Sequence, residues 1–70
     1  MIEVDSSAIH AIDYDRQSGV LTVQFTSRET YAYEAVPPHV FDELRTAESV
    51  GRYFSEHIRD RYPYRRLTRN

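Results

Sequence analysis

The sequence predicts an α+β fold: a three-stranded antiparallel β-meander followed by two α-helices packed on one face of the sheet. Three observations carry this expectation. Leu21, Val23 and Phe25 alternate with Thr22, Gln24 and Thr26, the period of two expected of a half-buried strand. Val36-Pro37-Pro38 then ends the sheet, because proline has no backbone donor for a ladder. Val40, Phe41, Leu44 and Ala47 follow at i, i+1, i+4 and i+7, which is one face of a helix.

Residues 1–7 are polar and read as a lead-in. Residues 9–14 form the first predicted strand. Asp15-Arg16-Gln17-Ser18-Gly19 is a turn, with Gly19 suited to a left-handed bulge position. Residues 20–26 form the second strand. After a short turn at Ser27-Arg28, residues 30–34 form a third strand, rich in β-forming side chains. Pro38 fits the first turn of the first helix. Ser49 is the expected N-cap of the second helix, whose apolar stripe is Val50, Tyr53, Phe54, His57 and Ile58. Pro63 stops that helix and pushes Tyr62 toward extended geometry. Residues 64–70 read as a basic tail, anchored through Tyr64 and Leu67. With no repeat and no dividing linker, residues 1–70 are expected to be one domain. A bare meander would leave its apolar face wet, and the two amphipathic helices are the available cover.

Register fixes which side chains the sheet buries. Pairing Ile12 with Val23 and Tyr14 with Leu21 puts the large apolar groups of the first hairpin on one face and needs a loop of residues 16–19. Tyr31 and Tyr33 share a face, being two apart. A two-residue loop at Ser27-Arg28 would pair Phe25 with Thr30 and turn both tyrosines away from Leu21, Val23 and Phe25. An odd-length loop would send them into the core. The two-residue loop is the expectation, and it presents Tyr31 and Tyr33 outward with Thr22 and Gln24 as a base-stacking platform.

A chain of 70 residues buries a modest share of its surface and is marginally stable, so most of its six tyrosines and three phenylalanines are expected in the core. The lack of cysteine excludes disulfides and thiolate metal sites and fits a reducing compartment. No run of 18 apolar residues exists, so no transmembrane helix is expected. Residues 1–15 lack the basic start of a secretory signal. A soluble cytoplasmic protein with no membrane partner is therefore the expectation.

The formal charge of −2 hides a polarised chain. Residues 51–70 hold six arginines against Glu56 and Asp60, a formal +4, whereas residues 1–50 are a formal −6. Arginines interleaved with Tyr53, Tyr62 and Tyr64 suit a phosphate backbone and unpaired bases. They equally suit an arm that docks on the chain's own acidic part. All nine basic residues are arginine, whose planar fork binds carboxylate or phosphate bidentately and stacks on rings.

Ser6-Ser7-x-Ile9, Tyr14-Asp15, Leu21-x-Val23-x-Phe25, Tyr31-x-Tyr33, Val36-Pro37, Ser49-x-Gly51-x-Tyr53-Phe54, Ile58-Arg59 and Tyr62 occur in an order and spacing that resembles the KTSC domain family. That family occurs at the C-terminus of some lysyl-tRNA synthetases and as small stand-alone bacterial proteins. The resemblance runs from about Ser6 to Leu67. It departs from the family at Arg28, where glycine would be expected in the second turn. It implies no catalytic residues and no cofactor. The synthetase association implies RNA as a suspected ligand, although a fold does not fix a function.

The remaining chemistry candidates favour structural readings. Ser6-Ser7 suits a turn bonded to nearby backbone better than a phosphate site. His10, His39 and His57 have no helical i, i+4 spacing and no cysteine to complete a metal site, and His57 is expected to pack, partly buried, on its helix stripe. Asp13 and Asp15 flank Tyr14 and suit the turn and the guarding of a strand edge. A small domain has little room for a catalytic pocket. The expectation is a non-catalytic binding module without cofactor or metal. Its leading partner is RNA, single-stranded or tRNA-like, held by Arg59, Arg61, Arg65, Arg66 and Arg69, with Tyr31, Tyr33, Tyr62 or Tyr64 stacking on bases. The alternative is a protein-interaction module that binds an acidic partner or forms a homodimer.

Overall fold

The computed structural model describes residues 1–68. The element order is β1 (Ile2–Glu3), β2 (Ile9–Asp15), β3 (Val20–Phe25), β4 (Thr30–Tyr33), α1 (Pro38–Thr46), α2 (Val50–His57) and β5 (Tyr64–Arg66). Among the described residues the strands form one five-stranded antiparallel sheet in the order β1-β2-β3-β4-β5. The α+β class matches the sequence reading, and the three-stranded meander is its centre. Two short edge strands correct the rest. Part of the expected lead-in is β1, and Tyr64–Arg66, expected to belong to a tail, is β5.

The first hairpin has the expected register, Ile12 opposite Val23 and Tyr14 opposite Leu21. Its loop closes with the Gly19 amide donating to the Asp15 carbonyl at 2.8 Å, and Gly19 sits at φ +73°. A side chain there would be strained. The Gly19 carbonyl in turn accepts from the Val36 amide at 2.9 Å, which ties this loop to the chain that enters α1.

The second hairpin corrects the expected two-residue loop. Its strands pair Gln24 with Thr30, Val23 with Tyr31 and Leu21 with Tyr33. The Phe25 amide donates to the Glu29 carbonyl and the Arg28 amide to the Phe25 carbonyl, both at 2.9 Å, so residues 26–28 form a three-residue loop. Arg28 lies at φ +77°, the left-handed position that such a loop requires. A tight two-residue turn prefers glycine or asparagine, and Ser27-Arg28 offers neither. The odd-length loop turns Tyr31 and Tyr33 to the side of Leu21 and Val23. The outward tyrosine platform therefore does not exist.

α1 and α2 cover that same side. α1 buries Val40, Phe41 and Leu44, and α2 buries Val50 and Phe54. Ile12, Leu21, Val23, Leu44 and Ile58 are fully enclosed. Burying one such side chain contributes about 1.5–3 kcal/mol, which a chain this size cannot spare. Ser49 caps α2 as expected, its hydroxyl accepting from the Arg52 amide at 3.2 Å. His57, expected to be partly buried, is exposed and instead lies against the Tyr53 ring, centroids 4.4 Å apart. Tyr14 stacks on Phe41 at 4.9 Å and donates its hydroxyl to the Val36 carbonyl, which fixes α1 against β2.

Candidate binding cleft

Between the β3–β5 part of the sheet and α2 lies a cleft of about 690 Å³. Strand alternation and register build its floor. Tyr31 and Tyr33 point to the helix side, and β5 pairs Tyr64 with Tyr33 and Arg66 with Tyr31, which puts Tyr64 and Arg66 on that side too. α2 brings Phe54. Five rings close a circuit: Phe25 to Tyr31 at 5.7 Å, Tyr31 to Tyr64 at 5.5 Å, Tyr64 to Tyr33 at 5.4 Å, Tyr33 to Phe54 at 5.4 Å and Phe54 to Phe25 at 5.5 Å. The contacts are edge-on or tilted, the arrangements favoured by ring quadrupoles. Access to the circuit is graded. Tyr33 is 4% exposed, Tyr31 is half-buried and Tyr64 is 56% exposed.

Ser7, Ser27, Glu29, Ser55, Arg59 and Asp60 supply the polar margin of the cleft. Burial, with the neighbouring Tyr64 and Tyr31 hydroxyls, pushes the Tyr33 phenol up to about 12. Arg59 opposes that rise and Asp60 adds to it. Tyr33 is therefore a neutral phenol at physiological pH. Glu29 is engaged, 3.1 Å from Arg66 and 3.3 Å from the Ser27 hydroxyl. No hydrogen bond or ion pair engages the Arg59 or Asp60 side chain among the described residues.

The residues singled out in the sequence divide between three places. Tyr31, Tyr33 and Arg59 line the cleft, and Arg66 stands at its edge through Glu29. Arg65 lies on the opposite face of the sheet, paired with Ala32 in register and 3.8 Å from Glu34. Arg61 is exposed in the turn after α2, and Tyr62 is half-buried against the core. Arg69 lies outside the described residues. Phe25, Phe54 and Asp60 are cleft residues that the sequence reading did not single out as a site. Asp60 beside Arg59 was visible as an acid in a basic run, but its place depends on how α2 docks, which no local pattern shows.

Ser6 takes the structural role expected, its hydroxyl accepting from the Ala8 and Ile9 amides at 3.2 and 3.3 Å. A β-carbon on Gly51 would come 3.2 Å from that hydroxyl, so glycine lets the start of α2 approach this turn. Ser7 reaches the cleft. The Gln17 backbone amide, then the Ser18 hydroxyl, holds the Asp15 carboxyl below its ordinary range. Among the described residues no group of three His, Asp or Glu side chains is placed to hold a metal ion. Among those residues no helix is long and apolar enough to cross a membrane.

The aromatic cleft is assembled from the segments that carried the family resemblance: the Ser6-Ser7 turn, Tyr31-x-Tyr33 and Gly51-x-Tyr53-Phe54. A family model for the KTSC domain matches residues 5–62, and this chain belongs to that family. It is similar to a protein of Tsukamurella paurometabola, 45% identical over 62 residues that cover 89% of this chain and 92% of that one. It is similar also to a segment of the lysine–tRNA ligase of Nostoc punctiforme, 29% identical over 68 residues, 97% of this chain but 12% of the ligase. The crystal structure of a KTSC domain protein from Yersinia pestis superposes with a TM-score of 0.92 at 33% identity, covering 94% of this chain and 93% of that one.

Proposed function

We propose that this chain is a small non-catalytic binding module that takes single-stranded RNA in the aromatic cleft. The observation that carries the reading is the ring circuit, open to solvent at Tyr64 and flanked by Arg59, whose guanidinium has no ion pair among the described residues. An unpaired base offers a planar face to such rings, and stacking contributes about 1–3 kcal/mol per base. Arg66, in register with Tyr31, stands on this side for a phosphate. The Arg66–Glu29 pair is exposed, and pairs of that kind contribute about 0–1 kcal/mol, so a phosphate can replace the carboxylate. The similarity to a segment of lysine–tRNA ligases supports RNA as the ligand.

The test is a fluorescence-anisotropy titration with short unstructured RNA, using the native chain and Tyr64→Ala. The expected result is binding that weakens with salt and falls about fivefold to a hundredfold in the variant. Equal binding by both would remove the cleft from the account. The exposed edge strand β5, with Tyr64 and Leu67 open to solvent, favours a second reading in which an acidic protein or a second copy adds a strand there. Competition separates the two readings. Unrelated RNA displaces an RNA ligand and leaves a specific protein partner bound.

A further inference from the structure

Two residues adjacent in the chain, an arginine and an aspartate, both line the cleft, and this combination narrows the kind of base it fits. Arg59 and Asp60 both line the cleft, are adjacent in the chain and are exposed. Neither side chain has a hydrogen bond or ion pair among the described residues, whereas Glu29 is engaged by Arg66 and Ser27. Both charges reach the Tyr33 phenol, Arg59 lowering its pKa and Asp60 raising it. The two charges cancel. A balanced, ring-lined cleft suits a neutral planar heteroaromatic better than an isolated cation or anion.

The hydrogen-bonding groups then discriminate between such rings. A guanidinium donates bidentately to two adjacent acceptors, and a carboxylate accepts from two adjacent donors. Among the four RNA bases only guanine has both pairs. O6 and N7 accept from an arginine fork, and N1–H with the N2 amino group donates to a carboxylate. Adenine, cytosine and uracil each leave at least one of the two protein groups with a single bond, and an incompletely paired charged group lowers affinity.

We propose that the cleft selects an unpaired guanine of a single-stranded RNA, with Arg59 on its O6/N7 edge, Asp60 on its N1/N2 edge and the Tyr31–Tyr64 rings beneath it. This rests on the reading of the cleft as an RNA site. Tyr64 and Tyr31 provide a stacking surface for any base, and Arg59 and Asp60 provide the choice among them.

The experiment measures affinities of the native chain for the RNA pentamers UUGUU, UUAUU, UUCUU and UUUUU, with guanosine monophosphate as a fifth ligand. UUGUU is expected to bind at least about tenfold tighter than the other three. In Asp60→Ala the preference for UUGUU over the other three pentamers is expected to disappear. Asp60 is exposed, so the variant is expected to keep the native melting temperature, which is measured alongside. Equal affinity for the four pentamers would overturn the guanine assignment and leave the RNA reading standing. Failure of all four to bind would overturn both. Guanosine monophosphate binding as tightly as UUGUU would overturn the strand and make a free nucleotide the ligand. A guanine preference that survives Asp60→Ala would overturn the role of that carboxylate.

Discussion

At the scale of single residues, Arg28 and Tyr33 are the most informative. Arg28 holds a left-handed conformation at φ +77° that costs a residue with a β-carbon about 1–2 kcal/mol. Glycine relieves this strain but loses more chain entropy on folding. Arg28→Gly is expected to raise stability by about 0.5–1 kcal/mol, read as a melting temperature higher by roughly 2–8 °C; a lower one would contradict the loop assignment. The same residue explains why the sequence reading reversed the tyrosines. A glycine there would have announced the three-residue loop, whereas an arginine at positive φ has no signature in composition or periodicity. Tyr33 and Tyr53 give a pH prediction. Burial raises both phenols to about 12, and for Tyr53 the 2.6 Å hydrogen bond to Glu43 adds to the rise. An unfolded tyrosine titrates near 10. The folded state therefore binds these protons more tightly, so the stability linked to them is complete below pH 10 and is lost as pH rises from about 10 to about 12. Melting curves across that window should show the loss, and Tyr33→Phe should make it shallower.

At the scale of elements, local pattern and legibility go together. The β2–β3 hairpin could be read because alternation at Ile12, Tyr14, Leu21 and Val23 admits one register with a clean apolar face. The Ser49 cap and the α2 stripe through Val50 and Phe54 could be read for the same kind of reason. Replacing that cap by Ser49→Ala is expected to cost about 1 kcal/mol in chemical denaturation. β1 and β5 were not legible. Two residues and three residues carry no period, and Tyr64-Arg65-Arg66 has the composition of a solvated arm. They form strands because β2 and β4 offer free backbone groups, and in β5 because Tyr64 closes the ring circuit. The Leu67 amide adds a 2.7 Å bond to the Thr30 carbonyl, and the Thr68 hydroxyl accepts from the Thr30 amide at 2.8 Å. Truncation after Pro63 is therefore expected to lower stability cooperatively, seen as a lower denaturation midpoint; a removable arm would leave the midpoint unchanged. Charge reversal at Arg65 and Arg66, like Tyr64→Ala, perturbs this strand, which makes Asp60→Ala the cleaner probe of binding.

At the scale of the whole molecule, the charge polarity along the chain has two outcomes in space. Arg65 and Arg66 meet Glu34 and Glu29, so part of the basic segment docks on the acidic part. Arg52 pairs with Glu56 at 3.9 Å within α2, whereas Arg59 and Arg61 make no ion pair among the described residues. Both lie in the turn that follows α2, and Arg59 lines the cleft. The formal charge of −2 gives little long-range attraction to a polyanion, so RNA binding here depends on contact at the cleft. The measurement that tests this most directly is a backbone-amide NMR titration of the native chain with UUGUU at low and moderate salt. The account predicts shifts concentrated at Tyr31, Tyr33, Ser55, Arg59, Asp60 and Tyr64, smaller at moderate salt but in the same places. No shifts at low salt, or shifts confined to the opposite face around Ala32 and Arg65, would contradict it.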